Sequence, residues 1–179
     1  MWAICCAVPL SAKANKHVQF RMGEHLMLIS SQLKDEILQS SEEFWDPMGC
    51  AEFIFVDDLS RTYVEPNEIG ENTDSQLAPF ADKTPYQCAA LLQTLSEQIG
   101  SEAVEYDTFA IVDERSLKDG TLLLVAEPTE EDGGDSSSVR VTFELIGSHL
   151  SLWGAGHTTV YEDKERAAKT ADGVLTTEE

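Results

Sequence analysis

The chain has 179 residues and carries 33 acidic against 12 basic side chains, a formal net charge of -21. Such a surplus repels nucleic acid and anionic membrane surfaces and argues against both as partners. Hydrophobic residues make up 42% and charged residues 25%, so the surplus sits on a chain able to bury a core, and the length fits one domain.

The run from Trp2 to Leu10 is apolar, and Ala12-Lys13-Ala14 after it has the small-x-small form of a cleavage site. No basic residue precedes the run and Pro9 interrupts it, so the expectation is a cytoplasmic protein, with secretion behind a short signal peptide as the alternative. Residues 1–23 are therefore set apart as a segment of unassigned structure, ahead of a single domain at 24–170 and a frayed tail at 171–179. Four cysteines are few for a disulfide scaffold, and Cys5 and Cys6 are adjacent, so reduced thiols are expected. No stretch has the length of a bilayer span.

Leu26 to Ile29 reads as a short strand, and the helix after it places Leu33, Ile37, Leu38, Phe44 and Trp45 on one side before Asp46-Pro47 stops it. Phe53-Ile54-Phe55-Val56 is a continuous apolar run of strand length, the pattern of a strand covered on both faces. The stretch from Leu59 to Lys83 is long for a loop. Thr84-Pro85-Tyr86-Gln87 is a capping box with proline at the first helical position. Cys88, Leu91, Leu92, Leu95 and Ile99 then recur at helical spacing up to Gly100.

Beyond Thr108 the pattern predicts strands at Phe109 to Val112, Leu122 to Ala126, Val139 to Leu145 and Leu150 to Trp153, with Gly147-Ser148 as a hairpin turn between the last two. The links are too short for crossover helices, which predicts an antiparallel meander. Glu127 to Ser138 is an acidic loop tip expected to be mobile. Thr159-Val160-Tyr161-Glu162 caps a last, mostly polar helix that Asp172-Gly173 ends.

Two apolar strands end in acids, at Asp57-Asp58 and at Asp113-Glu114. If the helix from Pro85 to Ile99 is a crossover, those strands are parallel and their carboxylates meet at one sheet edge, where Asp57, Asp58 and Asp113 would hold a hard cation such as magnesium. The alternative is that the acids punctuate strand ends and pair with Arg61, Arg115 or Lys118. The pattern resembles the acidic pocket of phosphoacceptor receiver domains, but those alternate strand and helix regularly, whereas no helix is predicted here between Thr108 and Trp153. The four histidines lack zinc spacing, and Gly154-Ala155-Gly156 lacks the third glycine of a dinucleotide loop.

Over roughly Leu26 to Asp163 the chain resembles a family of small, acidic, uncharacterised domains of actinobacteria and fungi. The likeness runs through Leu26 to Ile29, Phe55-Val56-Asp57-Asp58, Ala110-Ile111-Val112-Asp113, Leu122 to Val125, Val139-Arg140-Val141 and His149-Leu150-Ser151-Leu152. Where such domains continue into an Asn-Met-Asp-Phe type segment, this chain has Trp153-Gly154-Ala155-Gly156-His157. The resemblance implies no activity and assigns no catalytic residue.

The expected fold is α+β, a mixed, largely antiparallel sheet with two packed helices and a polar C-terminal helix. The expected function is that of an acidic, soluble binding or accessory protein without a cofactor, engaging a protein or small molecule. The alternative is a small divalent-metal-dependent enzyme with magnesium at Asp57, Asp58 and Asp113. The residues specify no oligomeric state.

Overall fold

The computed structural model describes residues 2–8, 36–40, 52–64, 78–99 and 104–177. Among the described residues, six strands form one sheet: β1 (Trp2–Cys6), β2 (Phe53–Val56), β3 (Glu105–Val112), β4 (Thr121–Ala126), β5 (Ser138–Thr142) and β6 (Val174–Leu175). Helical segments are 36–40 (α1), α2 (Pro85–Ile99), α3 (Ser116–Asp119), α4 (Ile146–Gly154) and α5 (Val160–Ala167). The strand order is β2-β1-β3-β4-β5-β6. The β3–β4 and β4–β5 pairs at its centre are antiparallel, and the pairs on either side, β2–β1, β1–β3 and β5–β6, are parallel. The α+β class with a mixed sheet is thus the observed one.

Side chains alternate across a strand, and here the alternation divides two cores. Ile4, Cys6, Phe53, Phe55, Ala110 and Val112 point to one face, where Ile37 of α1, Ile146 and Leu150 of α4 and Val160 and Ala167 of α5 cover them. Ala3, Cys5, Ile54, Val56, Phe109 and Ile111 point to the other, beneath Cys88, Leu92 and Leu95 of α2 and the loop residues Tyr63 and Phe80. The result is a sheet with helices on both faces.

The capping box of α2 is present, with the Thr84 N–H donating to Gln87 Oε1 at 3.1 Å and the Gln87 N–H donating to Thr84 Oγ1 at 3.3 Å. The β2 strand and the Phe109–Val112 half of β3 are near-adjacent and buried, with β1 between them and α2 as the crossover. The acidic loop after β4 packs against the start of α2, where the Tyr86 N–H donates to Gly133 O at 2.9 Å. Within that loop, Asp132 accepts from the Gly134 N–H at 2.9 Å and the Ser136 N–H at 2.7 Å.

Three readings of the sequence are corrected. Trp2–Cys6, set outside the 24–170 domain, is an interior strand with Ala3, Ile4, Cys5 and Cys6 wholly buried. Short unbroken apolar runs serve equally as leader segments and as strands buried on both faces. Leu150 to Trp153, read as a strand after a Gly147-Ser148 turn, lies within α4, and the strand before it stops at Thr142, followed by a 3₁₀ turn at Phe143–Leu145. Ile146, Leu150 and Trp153 also fit helical spacing, and β5 pairs in parallel with β6, which demands a crossover and not a hairpin. Helices therefore do lie between Thr108 and Trp153. The tail at 171–179, read as frayed, contains β6. The predicted strand at 26–29, the ends of the first predicted helix and Cys50 lie outside the described residues.

Candidate functional site

The strand-end acids do share an edge. Because β2, β1 and β3 run parallel, Asp57 and Asp58 after β2 and Asp113 after β3 stand at the same end of the sheet, with the end of β1 between them. Each carboxylate, however, is engaged by the chain around it. Asp57 is buried, and its Oδ1 accepts from the Tyr63 hydroxyl at 3.1 Å; the Tyr63 hydroxyl oxygen in turn accepts from the Asp58 N–H at 3.0 Å. Burial, followed by the charge of Asp57, pushes the Tyr63 phenol well above its ordinary pKa. Asp58 accepts from the Ser60 hydroxyl at 2.7 Å and the Ser60 N–H at 2.8 Å, and those bonds hold its carboxyl below the usual range.

Asp113 is the joint of a larger network. Its Oδ1 accepts from the Arg115 and Ser116 N–H groups, both at 3.0 Å, which turns the chain from β3 into α3. The Arg140 guanidinium reaches the same carboxylate from β5, with Nη1 3.2 Å from Oδ1 and Nη2 bonded to Oδ2. Burial acts to raise the Asp113 carboxyl, but the hydrogen bonds from Arg140 and Ser116 and the Arg140 charge outweigh it, and the net shift is downward. Arg115, one of the cations expected to pair with the strand ends, instead holds Asp119 at 2.7 Å. Among the described residues, no three His, Cys, Asp or Glu side chains are grouped as a metal ion would require.

A second polar cluster joins α4 to α5 at the opposite end of the sheet. Asp163 is wholly buried, and a buried carboxylate is tolerated only when donors surround it. His149 Nδ1 lies 2.6 Å from its Oδ2, the Trp153 indole N–H donates to the same oxygen at 2.8 Å, and Thr158 Oγ1 and Arg166 Nη1 stand 3.5 Å from Oδ1. His149 and Trp153 are four residues apart on α4, so one helix face presents both to Asp163. The capping box of α5 fixes Asp163 in place: the Thr159 N–H donates to Glu162 Oε2 at 2.9 Å, and the Glu162 N–H donates to Thr159 Oγ1 at 3.3 Å.

Beside this cluster opens a cleft of about 370 Å³. Thr108 of β3, Ala126 and Glu127 at the end of β4, Trp153 of α4, and Thr158 and Tyr161 at the start of α5 line it. Of these residues, Thr108 lies at an irregularity in the sheet. Trp2 pairs with Glu105 and Ala3 with Phe109, so β3 carries extra residues there, and Thr108 pairs only with Ala126 of β4. Bulges of this kind re-aim side chains and are frequent beside sites. Glu127 then leaves β4 with a left-handed φ of 48°, and its N–H donates to Asp107 O at 2.6 Å. A non-glycine residue held in that region stores strain, which clusters at functional positions.

No family model, curated protein or solved structure significantly matches this chain. The cleft was not anticipated from the sequence. Its walls come from a helix read as a strand and from a junction between segments far apart in the chain. The one legible signal was the capping box at Thr159.

Proposed function

We propose that this protein is a binding or accessory protein whose ligand is a small molecule held in the cleft between the β3–β4 end of the sheet and the α4–α5 junction. The observation that carries the reading is the anchoring of Trp153. Its N–H is committed to the wholly buried Asp163, so the indole is held in one orientation and its carbon surface is what remains to line the cleft. An aromatic wall fixed in advance loses little entropy on binding. Thr108 and Thr158 line the same space, and the cleft falls in the size range of small-molecule sites, roughly 300 to 1,000 Å³.

A fragment set of mixed charge, followed by amide and indole chemical shifts of the whole protein, tests the assignment. Hits are expected to perturb Thr108, Ala126, Trp153 and Tyr161 together, and Trp153→Ala is expected to abolish them. Hits that cluster elsewhere, or a set without hits, would overturn it.

A further inference from the structure

We infer that the ligand of this cleft is an organic cation, a quaternary ammonium or protonated amine group on a small molecule. The inference rests on the reading of the cleft as the binding site. Three observations point to the sign of the charge.

The first is Glu127. Its carboxylate makes no hydrogen bond or ion pair among the described residues, although it lines the cleft and its backbone is held in the left-handed region. An exposed, strained residue with an uncommitted carboxylate, placed among the residues that line a cavity, is suited to receive a positive group.

The second is the pair of aromatic residues, Trp153 and Tyr161, that line the same space. The negative face of an aromatic ring attracts a cation within about 6 Å of its centroid, and such rings are how proteins hold ammonium groups too weakly hydrated to need a full set of hydrogen bonds. A metal ion would be served poorly here. It takes about six oxygen ligands, and Glu127 is the one carboxylate among the lining residues.

The third is the fate of the donors that would attract an anion. The start of α5 faces the cleft through Thr158 and Thr159, and a helix N-terminus ordinarily favours negative charge. Here the Thr159 and Glu162 N–H groups are closed into the capping box, so two of the four N–H groups from Thr159 to Glu162 are withdrawn from any anion. Two cations of α5 are also engaged, Arg166 with Asp163 and Lys164 with Asp135 O. The net charge of -21 adds a field that concentrates cations at the surface.

The test pairs choline with 3,3-dimethylbutan-1-ol, its uncharged isostere, in titrations of the full chain read at the Trp153 indole and by calorimetry. Choline is expected to bind at least about tenfold more tightly than the alcohol. Glu127→Gln, which keeps shape and removes charge, is expected to weaken choline by about threefold or more while leaving the alcohol unchanged. Tyr161→Ala, at a residue 59% exposed and safe for folding, is expected to weaken choline as well. Equal affinities for the two probes, indifference to Glu127→Gln, or choline failing to bind while neutral or anionic fragments enter the cleft would overturn the cation and leave the cleft as the site. If neither probe nor any fragment reaches the cleft, the site itself is wrong and the inference falls with it.

Discussion

Gly134 shows how much a single position can carry. Its φ is +87°, and a Cβ built there would stand 2.7 Å from Pro128 Cβ and 2.8 Å from Pro85 Cβ, so the close approach of the acidic loop to α2 requires glycine. Gly156 has a similar φ of +71° with nothing within 4 Å of the added atom. Gly134→Ala is therefore expected to cost about 3 kcal/mol, combining backbone strain with overpacking, and Gly156→Ala about 1 kcal/mol from backbone strain alone. Urea midpoints of the two variants compare them directly, and equal losses would show that the loop does not depend on this contact. Asp113 gives a pH signature. Its carboxyl lies below its unfolded value of about 3.9, so its contribution is complete above that value and disappears as pH falls through the lower, folded pKa. Asp113→Asn should lose about 2 kcal/mol at pH 7 by leaving Arg140 with a poorer partner, and approach the parent protein as pH falls below the unfolded value of about 3.9. A difference that does not shrink below that value would exclude the Arg140 pair as its origin. Because Asp57, Asp58 and Asp113 each already hold hydrogen-bond donors, millimolar magnesium is expected to leave the melting temperature of this protein unchanged.

At the scale of elements, the sheet depends on segments that the sequence pattern placed at its margins. The β1 strand pairs with β2 on one side and β3 on the other, so deleting residues 1–8 removes the middle of the parallel half and is expected to abolish cooperative unfolding. Deleting residues 171–179 removes only the short edge strand β6 and is expected to lower stability without erasing the transition. A truncation at 1–8 that still unfolds cooperatively would show that the sheet closes without β1. The same elements mark how far the sequence could be read. Where two independent signals coincided, as in the capping box and apolar stripe of α2, or the continuous apolar runs of β2 and β3, type and placement were legible. At Ile146–Gly154 the apolar residues fit either period, and the choice was made by a distant fact, the parallel pairing of Val174–Leu175 with β5, which no local pattern contains. The cleft was illegible for the same reason. Trp153 becomes a wall only once α4 exists, and Asp163 becomes its anchor only once α5 lies beside it.

For the whole molecule the governing quantity is charge. With 33 acids against 12 bases, repulsion among surface carboxylates opposes the compact state. Salt at about 0.1 M shortens the range of that repulsion to roughly 10 Å. Salt also screens the attractive pairs, but an exposed pair such as Arg115 with Asp119 contributes at most about 1 kcal/mol, and too few bases are present for attraction to dominate. At pH 7 the melting temperature is therefore expected to rise as sodium chloride is raised from about 20 mM to about 500 mM. Near the sequence isoelectric point of 4.3 the net repulsion vanishes while ion pairs persist, so the same salt step should leave the melting temperature flat or lower it. Scanning calorimetry at the two pH values measures both slopes, and a melting temperature that is flat or falling with salt at pH 7 would show that the acids are spaced widely enough, or paired well enough, for their surplus to carry no energetic weight in this fold. The same screening should weaken choline in the cleft, so the salt that stabilises the fold is expected to reduce its affinity for a cation. Opposite signs for those two responses in one protein would tie both to the surface charge.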